Sequence, residues 1–156
     1  MKTFKIESQK DLDKFKDDYG YKIDGNAEFS FTAVFTGRLY VEGYLWIKAG
    51  DWIEAGGWIK AGDWIKAGGS IEAGCWIKAG GSIEAGDWIK AGGWIEAGDW
   101  IEAGGSIEAG DWIKAGGWIK ADGSIEAGDW IKAGGWIEAV QGGITCGLHI
   151  TCKGLL

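Results

Sequence analysis

Residues 46–69 read WIKAGDWIEAGGWIKAGDWIKAGG, and the same pattern of six residues continues to residue 141. The whole stretch consists of sixteen consecutive hexapeptides of the form W/S-I-K/E-A-G-D/G. A short and fixed period is the sequence signature of a solenoid, in which each repeat contacts only its neighbours. The repeat therefore predicts an all-β fold, a parallel β-solenoid built from hexapeptide units.

The alternation within each unit predicts which side chains face inward. Ile at the second place and Ala at the fourth are two residues apart, so they share one face of a strand and form the interior. Lys or Glu at the third place must face water, which places the Trp or Ser of the first place outside as well. The exchange of Trp for Ser supports this assignment, because truncating a buried Trp would leave a large cavity. Ser stands at the first place in four units: Ser70, Ser82, Ser106 and Ser124.

Gly occupies the fifth place in fourteen of the sixteen units. We expect the chain to turn there with a positive φ, which Gly adopts freely. Asp122 and Val140 are the two exceptions. Asp tolerates the left-handed region better than most residues, and Val140 stands where the array ends.

The size of one coil follows from the stacking of charges. An antiparallel meander fails, since it would put Ala49 and Trp52 on one face. A two-sided coil, made of two hexapeptides, would stack Asp87, Asp99 and Asp111 at about 4.8 Å, the spacing of neighbouring strands. A three-sided coil, made of three hexapeptides, leaves only Asp111 and Asp129 as stacked Asp residues. Three sides are therefore favoured, and two sides remain the alternative.

The flanking segments extend the array at both ends. Ser8 is a candidate N-cap of a helix that carries Leu12, Phe15 and Tyr19 and ends near Gly20. We assign residues 1–26 to an N-terminal cap, 27–45 to degenerate first coils, 46–141 to the hexapeptide solenoid and 142–156 to C-terminal coils. The degenerate coils are marked by Phe35, Val41 and Ile47, which recur at the hexapeptide spacing. The C-terminal coils follow a one-residue shift, after which two pairs repeat the inward pattern: Ile144 with Cys146, and Ile150 with Cys152.

The array resembles the hexapeptide-repeat β-helix proteins, in which an aliphatic residue recurs every six positions beside a small residue on the same face. In that family the small residue precedes the aliphatic one by two positions, whereas here Ala follows Ile, and the handedness of the coil stays open. The WIKAG and SIEAG units also look like the repeats of small proteins of bacteria and their phages. This second resemblance implies a protein similar in character to phage inhibitors of bacterial defence systems, such as anti-CRISPR proteins.

Composition restricts the function further. The net charge is -7 and the pI is near 4.7, so the chain lacks the basic surplus of nucleic-acid-binding proteins, and we expect no nucleic-acid partner. No apolar run approaches the roughly 18 residues of a membrane span, and the N-terminus lacks the apolar core of a secretory signal. Three Cys residues do not form a disulfide framework, so we expect a cytoplasmic protein without a membrane partner.

Residues for catalysis are sparse, and we expect no enzyme. The single His, His149, aligns with the outward Trp place, where we expect an exposed surface side chain. Cys146, His149 and Cys152 have to be weighed as zinc ligands, but both Cys residues point inward and His149 outward, so we expect neither a metal nor another cofactor. Cys75 replaces a corner Asp or Gly and is expected to be an exposed thiol.

The outward Trp residues are the remaining candidates for function. In an 18-residue coil five of them form an uninterrupted aromatic and cationic strip, flanked by four Lys residues and one Glu: Trp58, Trp76, Trp94, Trp112 and Trp130. We expect this flat aromatic strip to bind a protein partner, in line with the enrichment of Trp at binding hot spots. Stacking of the rings for stability alone is the competing interpretation. Two further alternatives are self-association through the Trp strip into a homodimer or filament, and a surface for carbohydrate or ice.

Overall fold

The computed structural model describes residues 1–48 and 50–153 as a three-sided parallel β-solenoid. A short helix, α1, spans Gln9–Leu12, and a 3-10 turn follows at Asp13–Phe15. The strands before the regular array are β1 Thr3–Ile6, β2 Lys16–Asp17, β3 Gly20–Ile23, β4 Asn26–Phe29, β5 Ala33–Phe35, β6 Arg38–Val41 and β7 Leu45–Ile47.

Each later hexapeptide contributes one short strand. These strands are β8 Ile53–Ala55, β9 Ile59–Ala61, β10 Ile65–Ala67, β11 Ile71–Ala73, β12 Ile77–Ala79, β13 Ile83–Ala85, β14 Ile89–Ala91, β15 Ile95–Ala97, β16 Ile101–Ala103, β17 Ile107–Ala109, β18 Ile113–Ala115, β19 Ile119–Ala121, β20 Ile125–Ala127, β21 Trp130–Ala133, β22 Ile137–Ala139, β23 Ile144–Cys146 and β24 His149–Thr151.

Every third strand lies in the same sheet, so the chain builds three sheets around one core. Their strand orders are β1-β4-β7-β10-β13-β16-β19-β22, β5-β8-β11-β14-β17-β20-β23 and β2-β3-β6-β9-β12-β15-β18-β21-β24. Ile71 pairs with Ile53 and Ile77 with Ile59, so one coil consists of three hexapeptides. The prediction of three sides is confirmed, and the two-sided alternative is wrong, because the residue stacked on Trp58 is Trp76.

The core is a pair of columns on the inner surface of each sheet. Within β8 to β21 all Ile and all Ala side chains are buried. Burying an Ile side chain contributes about 2 kcal/mol relative to leaving it exposed, and the stacked coils repeat that gain at every unit. The inward assignment of Ile and Ala and the outward assignment of the charges are confirmed.

The first of the sixteen hexapeptides is out of register, which the repeat did not predict. Leu45 pairs with Ile65 and Ile47 with Ala67, so Trp46 stands at the place of a charge and Ile47 at the place of an Ala. The coil is longer here than in the regular array, because the corner after β7 holds two residues more than the later corners. Gly50 in this corner has a φ of 85°, a backbone conformation that favours glycine.

The role expected for the fifth-place glycines is also corrected. Between residues 52 and 141, all of which the structure describes, no glycine has a positive φ, and neither does Asp122. The glycines are needed because consecutive coils approach closely: a Cβ atom built on Gly98 would collide with the carbonyl oxygen of Gly80, one coil below. The constraint is therefore the distance between coils and not the local turn.

The N-terminal segment packs against the first coil. Ser8 caps α1 as predicted, its Oγ accepting a hydrogen bond from the Asp11 N–H at 3.3 Å. The helical stretch is shorter than predicted, since it ends at Phe15, and Tyr19 is exposed. Leu12 is buried against the core. Strands β1 and β3, inside the segment assigned to the cap, pair in parallel with β4 and β6.

The C-terminal coils follow the predicted one-residue shift. Ile144 pairs with Ile125 and Ile150 with Ile131, and each pair is separated by one residue more than the pairs of the regular array. In the described part of the chain no further strand pairs with β22, β23 or β24, so this end of each sheet is open. The last three residues of the predicted C-terminal coils, 154–156, lie outside the described residues, as does Ala49. Within residues 1–48 and 50–153 no helix has the length and apolar character needed to cross a membrane.

Candidate aromatic and charged binding face

The five predicted site residues lie together in one column on the sheet that contains β9 and β12. The ring centroids are 4.6 Å apart for Trp58 and Trp76, 4.8 Å for Trp76 and Trp94, and 4.8 Å for Trp94 and Trp112. The last pair, Trp112 and Trp130, is separated by 5.0 Å. We call this outer surface, with these five Trp residues, the tryptophan face.

The tryptophan face is not the flat aromatic strip that the sequence predicted. Neighbouring rings are parallel to within 6°, so their faces cover one another and their edges point to solvent. All five side chains are consequently half-buried. Stacking of this kind contributes about 1 kcal/mol per pair beyond burial. The column is thus part of what holds the coils together, whatever else it does.

The indole N–H groups of the tryptophan face are accessible to solvent and have no partner among the described residues. Among the described residues no Trp side chain donates a hydrogen bond within the protein, and no indole nitrogen is buried without a partner. The donors of the column are therefore in contact with solvent. They form a ladder of N–H groups at about 4.8 Å, the spacing of neighbouring strands.

Arg38 ends the column on its N-terminal side, and sequence reasoning missed it. Its guanidinium carbon lies 5.3 Å from the centroid of the Trp58 ring and 5.2 Å from that of Tyr19. The same guanidinium forms an ion pair with Asp17 at 2.9 Å. The pKa of Asp17 is lowered, first by the Tyr19 backbone N–H and then by Arg38. Arg38 aligns with Trp58 only when the two extra residues in the corner after β7 are counted, and the six-residue period does not indicate them.

Charge is distributed unequally over the three faces. The third-place residues of the tryptophan face are four Lys and one Glu: Lys60, Lys78, Glu96, Lys114 and Lys132. The sheet with β8 and β11 carries four Glu and one Lys: Glu54, Glu72, Lys90, Glu108 and Glu126. The third-place charges of the two faces therefore have opposite sign, although the array as a whole has equal numbers of Lys and Glu at this place.

Glu96 neutralises part of the basic charge. Its carboxylate accepts hydrogen bonds from Lys78 at 2.9 Å and Lys114 at 3.1 Å. Partial burial raises the pKa of Glu96, but the hydrogen bonds from the two Lys residues outweigh that effect and leave its pKa below the ordinary value. Lys60 and Lys132 lie outside this arrangement, each beside another Lys on the neighbouring strand. Adjacent like charges destabilise a sheet, and an acidic partner would relieve that repulsion.

The acidic sheet provides a contrasting surface, which we call the serine face. Its first-place residues are Trp52, Ser70, Trp88, Ser106 and Ser124. Trp88 stands between two Ser residues and is 49% exposed. Ser106 and Ser124 are stacked, with their hydroxyl oxygens 3.4 Å apart. No continuous aromatic column exists here, so this face is a natural control for the tryptophan face.

The remaining candidate residues do not converge. His149 is exposed and pairs in register with Trp130, as predicted, while Cys146 pairs with Ala127 on a different sheet. Cys75 is exposed at a corner, also as predicted. Among the described residues no cluster of three or more His, Cys, Asp or Glu side chains could hold a metal ion.

No protein-family model, no curated protein and no solved structure matches the chain.

Proposed function

We propose that the protein is a non-enzymatic binding protein whose tryptophan face docks onto an acidic surface of another protein. The observation that carries the proposal is the coincidence, on one face, of a continuous Trp column and four Lys residues. Trp offers a large apolar body with a donor at its edge, and it is enriched where partners bind tightly.

The stacking of the rings favours a protein over a nucleic acid as the partner. Proteins that bind single strands do so by stacking bases on open aromatic faces. In this column the ring faces are already occupied by neighbouring rings, and only edges and N–H groups point outward. Carboxylates and carbonyl oxygens of a protein surface match those donors and the Lys side chains next to them.

The shape of the molecule supports an inhibitory role. Each face is a continuous row of parallel strands. A partner bound along one face would therefore have a broad area of its own surface blocked. The repeats resemble those of small phage and bacterial proteins. We therefore propose a bacterial defence complex in the cytoplasm as the partner, obstructed sterically in the manner of anti-CRISPR proteins.

The test replaces Trp76, Trp94 and Trp112 together with Ser, the residue that already stands at this place in four units. The change removes all four stacked pairs of the column, so we expect the fold to persist by circular dichroism but to melt at a lower temperature than the wild type. Capture of the partner should fall by at least about 30-fold, since hot-spot truncations cost about 2 kcal/mol or more each. The matched control is the double change of Trp52 and Trp88 to Ser on the serine face. If the triple variant captures the partner as well as the wild type, or the control loses as much, the proposal is wrong.

Self-association is a second candidate function, favoured by the open C-terminal end. Val140 is 53% exposed and Leu148 is 70% exposed there, beside strands whose outer edges are unpaired. At the N-terminal end α1 packs beside β1 and the 3-10 turn packs beside β3, so contact between two C-terminal ends is favoured over a head-to-tail filament. Sedimentation of the wild type and the triple Trp variant separates the two functions, because a dimer through this end would be unaffected by the Trp changes.

A further inference from the structure

The third outer surface has an interruption in its aromatic column. This surface, the mixed face, belongs to the sheet with β7 and β10 and carries Tyr44, Trp64, Ser82, Trp100, Trp118 and Trp136 at the first place. Tyr44 stacks on Trp64 at 4.5 Å, and Trp100 stacks on Trp118 at 4.8 Å. Ser82 lies between these two groups, so one ring of the column is missing.

The spacing of the gap matches one aromatic ring. Trp64 and Trp100 belong to coils two steps apart, and two strand spacings amount to about 9.6 Å. Each ring is parallel to its partner on the other side, to within 1° for Trp64 and 4° for Trp100. A planar ring midway between them would lie about 4.8 Å from each, as the rings of the tryptophan face do.

The gap is open. Trp64, Ser82 and Trp100 line a surface cavity of about 550 Å³, within the size range of small-molecule sites. The serine face offers a comparison, since Ser70 likewise stands between Trp52 and Trp88. Ser70 is only 3% exposed, so its neighbours close that gap. Ser82 stays partly exposed.

The charges around the cavity select the ligand. Lys66 and Glu84, both in the wall, form an ion pair at 2.8 Å and neutralise one another. Asp63 and Asp99 also line the cavity, and among the described residues neither has a cation within ion-pair distance. The site therefore combines two aromatic walls with two unpaired carboxylates, which is the chemistry that recognises organic cations.

We propose that the gap at Ser82 binds a planar, indole-sized aromatic cation, sandwiched between Trp64 and Trp100. The ring takes the place of the missing indole, and its charge lies near Asp63 and Asp99. The Ser82 hydroxyl is small enough to leave this space empty. The site is independent of the tryptophan face, so the proposed protein-binding function can fail while this one holds.

The experiment uses the N-methylquinolinium cation as the probe, with isothermal titration calorimetry as the measurement. We expect one molecule to bind per chain, and naphthalene-2-sulfonate, an anion of similar size and shape, to bind at least about tenfold more weakly. The variant Ser82→Trp fills the gap with the protein's own indole and should reduce the affinity for the cation by at least about tenfold, given the strength of aromatic stacking. Ser70→Trp, the matched change on the serine face, should bind the cation as the wild type does.

The variant Trp100→Ser is a second test, because it removes one aromatic wall of the site. Ser already stands at this place in four units, so we expect the variant to fold. It should also lose at least about tenfold in affinity. Absence of binding to the wild type at millimolar concentration would overturn the proposal. So would unchanged affinity in a folded Ser82→Trp or Trp100→Ser variant, or equal affinity for the anion.

Discussion

Glycine at the fifth place keeps consecutive coils in hydrogen-bonding contact. The Gly98 N–H donates to the Ala79 carbonyl at 3.2 Å, and the same bond recurs along the regular array. A methyl group at this position would meet the backbone of the coil below, which has no side chain that could move aside. Asp122 and Val140 replace this glycine only in the last two coils of one column, nearest the open end.

Replacing single glycines with Ala tests which of them are required by the close approach of consecutive coils. We expect Gly98→Ala to lower the free energy of unfolding by about 3 kcal/mol, the upper range for forcing an extra methyl group into a packed site. Gly81→Ala should be nearly neutral, because its Cβ would lie 3.4 Å from the Asp63 carbonyl oxygen, an ordinary contact. Urea unfolding of both variants measures the difference, and equal losses would refute the proposed close approach.

The reason for the glycines lay beyond what the sequence could indicate. Their recurrence predicts that Gly is required, but a positive φ and a close approach between coils give the same pattern. The register of the first hexapeptide could not be predicted either, because two registers fit the sequence. Residues 46–51 match the repeat perfectly, yet Leu45 and Ile47 form an equally good inward pair, and pairing with β10 decides between them.

At the scale of the strand, charge pairs across neighbouring coils give each face its character. Glu96 lies between two Lys residues on the tryptophan face, while Glu102 is 3.9 Å from Lys120 on the mixed face. The unequal faces were within reach of the sequence, because an 18-residue coil assigns every charge to a sheet. The basic character of the tryptophan face was predicted in this way, whereas the acidic character of the serine face was not.

The arrangement around Glu96 predicts a pH dependence. Its lowered pKa means that its contribution to stability is present above the pKa of the unfolded chain and is lost as the pH falls through the folded value. We expect Glu96→Gln to be less stable than the wild type by about 1 kcal/mol at pH 7. The difference should shrink as the pH falls below the ordinary Glu pKa of about 4.3.

Thermal unfolding from pH 7 to pH 3 measures this effect. Glu102→Gln is the matched control, since its weaker ion pair should give a smaller difference at every pH. A Glu96→Gln deficit that stayed constant down to pH 3 would show that the two Lys contacts do not stabilise the ionised carboxylate.

At the scale of the whole molecule, the three-sided coil is what brings the candidate functional residues together. The coil stacks Trp76 on Trp58, places four Lys residues on the tryptophan face and leaves a gap in the aromatic column at Ser82. The orientation of the rings could not be predicted from the sequence, because an outward Trp side chain can either lie flat on the surface or stack on the ring of the next coil. The stack arises because rings one strand apart are close enough to cover each other's faces.

Disulfide formation between chosen Ser positions tests the coil most directly. In a background of Cys75→Ser, Cys146→Ala and Cys152→Ala, the pair Ser106→Cys and Ser124→Cys places two thiols on adjacent strands, where a spacing of about 4.8 Å suits a disulfide. The comparison pair is Ser70→Cys and Ser82→Cys, which would be neighbours only in a two-sided coil. Mass spectrometry after mild oxidation should find an intramolecular disulfide in the first variant and none in the second. A disulfide between positions 70 and 82, with none between 106 and 124, would contradict the three-sided coil.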